Sequence, residues 1–346
     1  MDYFGHLKID GKSYIREQLL HSSNSFIKEW VSSSRTFKVQ TSGTTGEPKE
    51  FTFLKSQAIA SAKMTCEFFR LDKNTNALCC ISTNFIGGKM FIVRGFVSGM
   101  NLILVEPSAN PLKGIKERID FVSLVPMQVY TILQDDETKE KLKTITNVLI
   151  GGAPLPVDLE NKLAGFPNNI YLSFAMTETL SHVALRNISG ANMSDYFEVL
   201  PNVSISTDTR DCLVINAPLL NDNPVITNDV VEIIDTKQFR WMGRFDDAIN
   251  SGGIKIYPEV IEKKLHAIIP NHRYFISSVP DQKLGKKVIL VIEGIELNEI
   301  PTVREKAKAV LTKYEIPKEY YAIGKFIETQ TGKIKKRETL DMLLNI

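Results

Sequence analysis

A stretch rich in glycine and hydroxyl residues constrains this chain most strongly. It reads Thr41-Ser42-Gly43-Thr44-Thr45-Gly46-Glu47-Pro48-Lys49. Glycine lets the backbone take positive φ and approach a ligand closely, and consecutive N–H groups in such a loop form a nest for anions. The hydroxyl groups add hydrogen-bond donors, and Lys49 adds a positive charge. The stretch therefore predicts a loop that binds the phosphates of a nucleotide, with a Thr/Gly-rich hairpin turn as the alternative.

The same stretch does not have the spacing of the P-loop of nucleoside triphosphatases. That pattern runs Gly-x-x-x-x-Gly-Lys-Ser/Thr and leads directly into a helix. Here Pro48 precedes the lysine, and Phe51-Thr52-Phe53 follows with the alternation of a strand. We therefore expect a phosphate loop that leads into a strand.

Length and composition are those of an ordinary globular protein. The chain has 346 residues, enough for two domains and a large core. Its net charge of +2 gives no reason to expect a nucleic-acid partner, and no apolar run is long enough to span a membrane. The four cysteines show no metal-binding spacing, and we expect them to be reduced core thiols: Cys66, Cys79, Cys80 and Cys212. Since the N-terminus has no signal-peptide pattern either, we expect a cytoplasmic location.

Short apolar strands alternate with helical patterns in the N-terminal part of the chain. This alternation favours an α/β domain with a largely parallel sheet. Strands are expected at 37–40, 77–82, 101–105, 121–125 and 147–150, and helices at 14–30, 56–69, 89–97 and 127–134. From about residue 247 the pattern becomes α+β, with helices at 261–269 and 302–314 and strands at 274–279 and 287–293.

Two further patterns follow expected strands. Gly151-Gly152-Ala153 ends the strand at 147–150, and a backbone without side chains would let a flat ring lie against it. A simple strand-to-helix turn is the alternative. Phe174-Ala175-Met176-Thr177-Glu178 places an aromatic ring before a hydroxyl and a carboxylate. Thr177 can donate to a phosphate and Glu178 can hold Mg²⁺, although such a pair is also typical of a capping box or a solvated turn.

Three patterns in the C-terminal half also carry polar chemistry. The carboxylate of Asp229 can accept from two vicinal hydroxyls, although Asn228-Asp229 on its own would be interpreted as a surface turn. Asp246-Asp247, followed by Gly252-Gly253, suits a hinge beside a mobile hairpin, or a plain β-hairpin with a Gly-Gly turn. Gly332-Lys333-Ile334 begins a basic tail. On its own, such a tail would be interpreted as a run of solvated charges.

Taken in order, these patterns resemble the motifs of the adenylate-forming (AMP-binding) superfamily of acyl-CoA synthetases, peptide-synthetase adenylation domains and luciferases. The resemblance covers about residues 37–340. It implies a large N-terminal α/β domain with mixed and parallel sheets, residues 1–245, and a small mobile α+β C-terminal domain, residues 246–346. It also implies a reaction in which a carboxylate attacks the α-phosphate of ATP, giving acyl-AMP and pyrophosphate. A thiol, that of coenzyme A, then displaces AMP.

The resemblance assigns roles to individual residues. Thr41, Ser42, Gly43, Thr44, Thr45, Gly46 and Lys49 would hold the β- and γ-phosphates, and Gly151, Gly152, Ala153 and Phe174 would line the nucleotide site. Thr177 would contact the α-phosphate, and Glu178 would hold Mg²⁺. Asp229 and Arg244 would fix the ribose, Asp246 would be the hinge, and Lys333 would be the catalytic lysine between the α-phosphate and the carboxylate. The chain departs from the family pattern at Phe174-Ala175, where Tyr-Gly is usual, and at Asn228, where Gly is usual.

Within the superfamily, the chain is most similar to compact o-succinylbenzoate–CoA ligases of menaquinone synthesis. Only 40 residues precede the phosphate loop. Those ligases carry a Phe-His-x-x-Gly segment that ends in Arg. In this chain Phe85 stands at the His position, whereas Gly88 and Arg94 match. Lys89 or Arg94 would neutralise the second carboxylate of that substrate, unless both are solvated on a helix face.

Three alternative functions stay open from the sequence. The first is an acid–CoA ligase for another aryl or fatty acid, and the second is an adenylation enzyme that loads a carrier-protein thiol. The third is a catalytically silent nucleotide-binding regulatory protein, which the retention of Thr177, Glu178 and Lys333 argues against. The expected partners are a small carboxylic acid, ATP and coenzyme A, and a homodimer is one option for the oligomeric state.

Overall fold

The computed structural model describes residues 3–40, 50–328 and 334–344. The strands in this part of the chain are β1 (His6–Ile9), β2 (Lys12–Ile15), β3 (Thr36–Gln40), β4 (Glu50–Leu54), β5 (Asn76–Cys79), β6 (Asn101–Leu104), β7 (Phe121–Leu124), β8 (Asn147–Ile150), β9 (Asn169–Ala175), β10 (His182–Asn187), β11 (Phe197–Val199), β12 (Ser204–Thr207), β13 (Cys212–Asn216), β14 (Val225–Ile233), β15 (Gln238–Arg244), β16 (Ile249–Ser251), β17 (Ile254–Ile256), β18 (Tyr274–Asp281), β19 (Gly285–Glu293) and β20 (Glu319–Ile323). The α-helices are α1 (Arg16–Leu19), α2 (Ser25–Val31), α3 (Lys55–Phe69), α4 (Ile86–Ser98), α5 (Pro126–Ile132), α6 (Asp136–Thr144), α7 (Val157–Ala164), α8 (Pro258–Leu265), α9 (Ile300–Val310) and α10 (Lys336–Leu344).

The chain divides into two compact units. Unit 1 consists of Met1–Asp208, Val214–Thr227 and Ile233–Arg240, and unit 2 consists of Thr209–Leu213, Asn228–Glu232 and Trp241–Ile346. Strands β13, β14 and β15 contribute residues to both units. The predicted domain boundary between residues 245 and 246 stays a prediction.

Unit 1 is built on a mixed sheet with a parallel centre. Its strand order runs β11-β10-β9-β8-β7-β5-β6-β1-β2. Strands β6, β5, β7, β8 and β9 pair in parallel, as at Leu78↔Ile103 and Leu124↔Ile150. Strand β10 then pairs antiparallel with β9, and β2 pairs antiparallel with β1. The α/β class expected from the alternating strands and helices is confirmed.

The parallel strands form the core of unit 1, and they bring their ends to one edge. Every residue of β7 is buried, and the core also contains Val148 and Ile150 of β8. A strand buried on both faces is mostly apolar, which is why these strands appear in the sequence as nearly continuous apolar runs, with Ser123 of β7 as an exception. Because the strands are parallel, the segments after β5, β7, β8 and β9 all leave from the same edge. Ligands of open α/β sheets bind at such carboxyl edges.

Unit 2 contains a small sheet packed against helices. Strand β18 pairs antiparallel with β19, which pairs in parallel with β20. Its core includes Ile261 of α8, Leu290 of β19 and Val303 of α9. Strands β16 and β17 form a hairpin whose turn residues, Gly252 and Gly253, have φ of +61° and +83°. The expected α+β pattern and the hairpin with a Gly-Gly turn are both confirmed.

Most of the expected elements appear within a few residues of their predicted bounds, but the single long helix expected at 14–30 is replaced by two short helices, α1 and α2. Strand β2 takes up the start of that range by pairing with β1. A helix restarts only at Ser25, because the side chain of Asn24 accepts a hydrogen bond from the Ile27 amide and caps it. The helix expected at 302–314 ends at Val310, since Leu311 is extended.

The four cysteines are all buried and free, as expected for core thiols. Burial raises the pKa of the Cys66 thiol to about 11 and that of Cys79 to about 12. Such thiols stay protonated and unreactive at neutral pH. Among the described residues, no helix combines the length and the apolar character needed to cross a bilayer.

A nearly buried ion pair should contribute strongly to the stability of unit 1. Arg186 of β10 donates to both carboxylate oxygens of Glu160 on α7, at 2.9 and 2.8 Å. Their side chains are 11% and 19% exposed. Arg186→Met leaves a largely buried carboxylate unpaired, so we expect the free energy of unfolding in urea to fall by about 3 kcal/mol. Arg118→Met is the control, since Arg118 pairs with Asp120 while 82% exposed, and it should cost less than about 1 kcal/mol. Equal losses would contradict this ranking.

Candidate active site

The predicted phosphate loop lies outside the described residues, but the strands on either side of it are described. Strands β3 and β4 pair antiparallel, with Gln40 opposite Glu50. The expectation that a strand and not a helix follows the loop is therefore confirmed. Phosphate binding by Thr41–Lys49 stays a prediction. Lys333 also lies outside the described residues, and its catalytic role stays a prediction too.

The glycine turn after β8 needs both of its glycines. A Cβ on Gly151 would lie 2.3 Å from the Oγ of Ser173, the hydroxyl that donates to the Ile150 carbonyl. Gly152 has φ of +85°, which favours glycine. Gly152 and Ala153 are exposed. The turn thus presents bare backbone at the carboxyl edge of the sheet, as a site for a flat base requires. The role of these residues in binding adenine stays a prediction.

Thr177 and Glu178 lie in a tight turn directly after β9. Thr177–Thr179 form one turn of 3-10 helix, and the Thr179 hydroxyl closes it at 3.1 Å from the Met176 carbonyl and 2.8 Å from the Ser181 carbonyl. Leu180 then takes φ of +65°, which is unusual for a residue with a side chain. No side chain of the described residues caps this short helix, so the capping-box interpretation is wrong. Glu178 is exposed and Thr177 is half-buried.

Phe174 lies two residues before this turn, in β9. Its half-buried ring packs edge-on against the rings of Phe197 and Phe239, with centroids 5.8 and 5.3 Å away. The backbone of Ala175 has no positive φ, so alanine in place of the usual glycine causes no strain. These contacts hold the end of β9 in place, while the nucleotide role of Phe174 stays a prediction.

The donor set fits a magnesium ion that arrives with a nucleotide. In the part of the chain that the structure describes, no group of three or more His, Cys, Asp or Glu side chains could form a protein cage for a metal. Mg²⁺ in nucleotide enzymes usually takes one or two carboxylates together with phosphate oxygens and water. The exposed carboxylate of Glu178 meets that requirement.

Asp229 lies inside strand β14, so the surface-turn interpretation of Asn228-Asp229 is wrong. The indole N–H of Trp241 donates to its Oδ1 at 3.0 Å, and a guanidinium nitrogen of Arg244 lies 3.5 Å from its Oδ2. Both oxygens of a half-buried carboxylate are therefore oriented within unit 2. The sequence analysis missed Trp241, because nothing in the local pattern points to a partner on the next strand.

Asn228 links this carboxylate region to the predicted hinge residue. Its amide nitrogen donates to the Oδ2 of Asp246 at 3.1 Å, and its amide oxygen accepts from Arg210 at 2.9 Å. Arg244 also lies 3.8 Å from Asp246. The asparagine at the family's glycine position therefore makes two contacts that glycine could not make, and it does so without positive φ. The hinge role of Asp246 stays a prediction.

Lys89 sits near the start of helix α4 and already has partners in the structure. Its ammonium donates to the Lys38 carbonyl, lies 3.7 Å from a Glu29 carboxylate oxygen and lies 5.1 Å from the centre of the Phe26 ring. The side chain is only 13% exposed. The interpretation of Lys89 as a solvated helix residue is therefore wrong, and its role in substrate binding stays a prediction.

Arg94 is a buried cation in the middle of helix α4. It is 2% exposed, and one guanidinium nitrogen donates to the Oγ of Ser181 at 2.9 Å. Its Nε is buried without a hydrogen-bond partner, and no carboxylate of the described residues pairs with it. Burial lowers the pKa of the guanidinium to about 10. The solvated-face alternative is wrong for Arg94 as well.

Three residues near Arg94 were not predicted from the sequence to belong to the candidate site. They are Ser181, His182 and Thr65, and the last two are buried. A signal was present in the sequence, because Arg94 stands inside the apolar run Phe91-Ile92-Val93-Arg94-Gly95-Phe96. Only the fold shows that the polar start of β10 lies beside it.

Comparison with known proteins gives one family match and several relatives. The model of the AMP-binding enzyme family matches residues 28–216, which is more than half of the chain. An acyl-CoA synthetase (AMP-forming)/AMP-acid ligase II-like protein from Dyadobacter fermentans is 37% identical in sequence. Its crystal structure and this chain each overlap over 92% of their length, with a TM-score of 0.63.

Two further relatives are longer than this chain. The 2-succinylbenzoate–CoA ligase of Staphylococcus epidermidis is 26% identical over 333 residues, which cover 88% of this chain and 69% of that protein. The o-succinylbenzoate coenzyme A synthetase of Bacillus subtilis, solved in complex with ATP and magnesium ion, shares the fold. Its TM-score is 0.68 at 19% identity, with 88% of this chain and 69% of that chain covered.

Gly88 provides a test of how tightly the candidate site is built. A Cβ there would lie 2.3 Å from the Ser82 carbonyl oxygen and 2.6 Å from that of Ile81. Gly88→Ala should therefore cost about 2–3 kcal/mol of unfolding free energy, as forced overpacking does. Gly87→Ala is the matched control. Its Cβ would meet nothing closer than 3.8 Å, so it should be neutral or stabilise the helix by about 0.5–1 kcal/mol. Similar melting temperatures for the two variants would contradict the close approach.

Proposed function

This chain belongs to the AMP-binding enzyme family, and from that premise we propose that it is an AMP-forming ligase of a carboxylic acid and coenzyme A. The first half-reaction joins the acid to the α-phosphate of ATP and releases pyrophosphate. The second transfers the acyl group from AMP to the thiol of coenzyme A. The family match and the 37% identical synthetase-like protein support this reaction class.

We further propose o-succinylbenzoate as the acid, which places the enzyme in menaquinone biosynthesis. The name of the Staphylococcus epidermidis relative supports this choice. o-Succinylbenzoate has two carboxylates, and only one of them is activated. The other needs a cationic partner in the acid site, and the observation that carries this proposal is the buried charge of Arg94.

A comparison with Lys55 shows why Arg94 stands out. Lys55 is also buried, but its ammonium donates to three backbone carbonyls, at 3.0, 2.6 and 3.2 Å. Within the described part of the chain, the guanidinium of Arg94 donates to one hydroxyl, and its Nε has no hydrogen-bond partner. A buried charge is costly unless it is paired. A carboxylate would supply the missing charge and accept hydrogen bonds from the guanidinium.

The remaining candidate residues have separate roles in adenylation. Thr177 donates to the α-phosphate, and the pair Asp229 and Arg244 binds the ribose. Glu178 would hold Mg²⁺, which neutralises phosphate charge when bound. Lys333 stabilises the negative charge that develops as the substrate carboxylate attacks the α-phosphorus and pyrophosphate leaves. The thiol sulfur of coenzyme A then attacks the acyl carbonyl, the thiol proton is released to solvent, and AMP leaves with the bonding electrons. ATP and coenzyme A are metabolites of the cytoplasm, and we propose that the reaction takes place there.

The substrate proposal predicts a strong preference between two acids. With ATP, Mg²⁺ and coenzyme A, kcat/KM for o-succinylbenzoate should exceed that for benzoate at least about 30-fold, since losing one partner of a buried charged pair costs roughly 2–5 kcal/mol. Pyrophosphate release measures both. In Arg94→Met the ratio of the two values should fall towards one. Equal turnover of benzoate by the unaltered enzyme would contradict the choice of acid, and full activity without coenzyme A but with a carrier protein would favour the carrier-loading alternative.

The ribose assignment predicts a specific loss of ATP affinity. Asp229→Asn keeps an oxygen for the Trp241 indole but removes the charge and one acceptor. A hydrogen bond to a charged group contributes about 1.5–3 kcal/mol, so KM for ATP should rise at least about tenfold. Asp235→Asn is the control, because among the described residues the side chain of this acid accepts a hydrogen bond only from the Lys237 amide, in the turn after β14. An unchanged KM for ATP in Asp229→Asn, with an unchanged circular dichroism spectrum, would show that the resemblance at this position is accidental.

A further inference from the structure

We propose that Ser181, His182 and Thr65 are positioning residues of the acid site, which hold the Arg94 guanidinium in one orientation and so determine selectivity for an acid with a second carboxylate. This inference rests on the proposed function, because it names the residues behind the selectivity. None of the three carries a sequence motif for such a role. All of them contact Arg94 directly or through one another.

Three elements of unit 1 bring these four residues together. Arg94 comes from the middle of α4, and Thr65 comes from α3. His182 is the first residue of β10, and Ser181 directly precedes that strand. The contacts run in a chain: Arg94 to the Ser181 Oγ at 2.9 Å, that Oγ to His182 Nδ1 at 3.4 Å, and His182 Nε2 to the Thr65 Oγ1 at 3.0 Å.

With a neutral imidazole, the hydrogen bonds in this chain have one direction in which all four are made, including the bond from the Thr65 hydroxyl to the Ser61 carbonyl. Arg94 has no acceptor atoms, so Ser181 must accept from it. The Ser181 hydroxyl is then free to donate to His182 Nδ1, which leaves the ring proton on Nε2. Nε2–H donates to Thr65, whose hydroxyl donates in turn to the Ser61 carbonyl at 3.3 Å. Each group therefore acts as a donor to the next and fixes the rotamer of its neighbour.

The direction requires a neutral imidazole, and the surroundings favour one. His182 is buried, and burial together with the nearby charge of Arg94 lowers the pKa of the ring well below its usual value. A neutral ring with its proton on Nε2 can accept on one side and donate on the other. A charged ring would instead place a donor against Ser181 and a second positive charge beside Arg94.

The chain uses only part of the hydrogen-bonding capacity of Arg94. A guanidinium has five N–H donors in a planar fork. Among the described residues Ser181 takes one donor, and the buried Nε takes none. Because the fork is planar, fixing one nitrogen with a rigid acceptor restricts the plane in which the others lie. Without Ser181 the fork can rotate, and a carboxylate would lose the geometry that favours it.

Ser181 is itself held by the turn that carries Thr177 and Glu178. The Thr179 hydroxyl lies 2.8 Å from the Ser181 carbonyl, and Leu180 between them has φ of +65°. The residue that orients Arg94 is therefore fixed by the same backbone turn that presents the predicted phosphate and metal ligands. The acid site and the nucleotide turn share one short segment of unit 1.

The test compares two serine-to-alanine variants. We expect Ser181→Ala to lower the ratio of kcat/KM for o-succinylbenzoate to kcat/KM for benzoate about tenfold, as the loss of a hydrogen bond to a charged group does. A purely structural defect would lower both values in proportion and leave the ratio unchanged. Ser123→Ala is the matched control, because Ser123 is a buried serine whose Oγ finds no hydrogen-bond partner among the described residues. It should leave the ratio as it is. Thr65→Val, which keeps the side-chain shape, should lower the ratio in the same direction as Ser181→Ala.

A second measurement does not depend on catalysis. Nitrogen-15 NMR of the imidazole should show His182 neutral at pH 7 with its proton on Nε2, and Ser181→Ala should shift the Nδ1 signal. A charged ring, or a proton on Nδ1, would overturn the inference. So would a wild-type preference for o-succinylbenzoate that Ser181→Ala retains. A wild-type enzyme without that preference, but with the expected NMR signals, would contradict the proposed function and the selectivity role together.

Discussion

The parallel pairing of β5, β7, β8 and β9 is the constraint on which the rest of the structure depends. Parallel strands run in one direction, so the segments that follow them must leave from the same edge of the sheet. That edge receives the start of α4, the glycine turn at Gly151-Gly152 and the turn with Thr177-Glu178. These segments are far apart in sequence, and the pairing alone makes them neighbours. The apolar runs needed to bury such strands are therefore the first requirement for a site at this edge.

The buried charged side chains of unit 1 are compensated in different ways. Arg186 and Glu160 neutralise each other, and Lys55 is satisfied by the carbonyls at the end of α2. Arg94 has neither solution, since its surroundings offer a hydroxyl chain instead of a charge. Fixed dipoles orient a buried cation without cancelling its charge. The proposed binding of an anionic substrate would account for the retention of a buried cation of this kind.

The sequence predicts the strands and helices better than the side-chain contacts between them. The strands near 101–105, 121–125 and 147–150 were predictable because buried parallel strands are short, continuous apolar runs. A single helix at 14–30 was expected from the spacing of apolar residues. That spacing contains no information on the pairing of β2 with β1 or on the cap at Asn24. Thr177 and Glu178 could be named as candidates because they lie in one motif, and their roles stay predictions. Trp241 beside Asp229, and His182 beside Thr65, depend on tertiary contacts that leave no local pattern.

The close contact at Gly88 has a mechanical consequence for Arg94. The backbone of α4 rests there against the carbonyl groups of Ile81 and Ser82, with no side chain between them to absorb a movement. The loop after β5 and the first turn of α4 therefore act as one stiff piece. Arg94 lies six residues further along the same helix, or about 9 Å along its axis. Because no side chain at this contact can absorb a movement of the loop, we expect the position of the Arg94 guanidinium to depend on the conformation of residues 81 and 82.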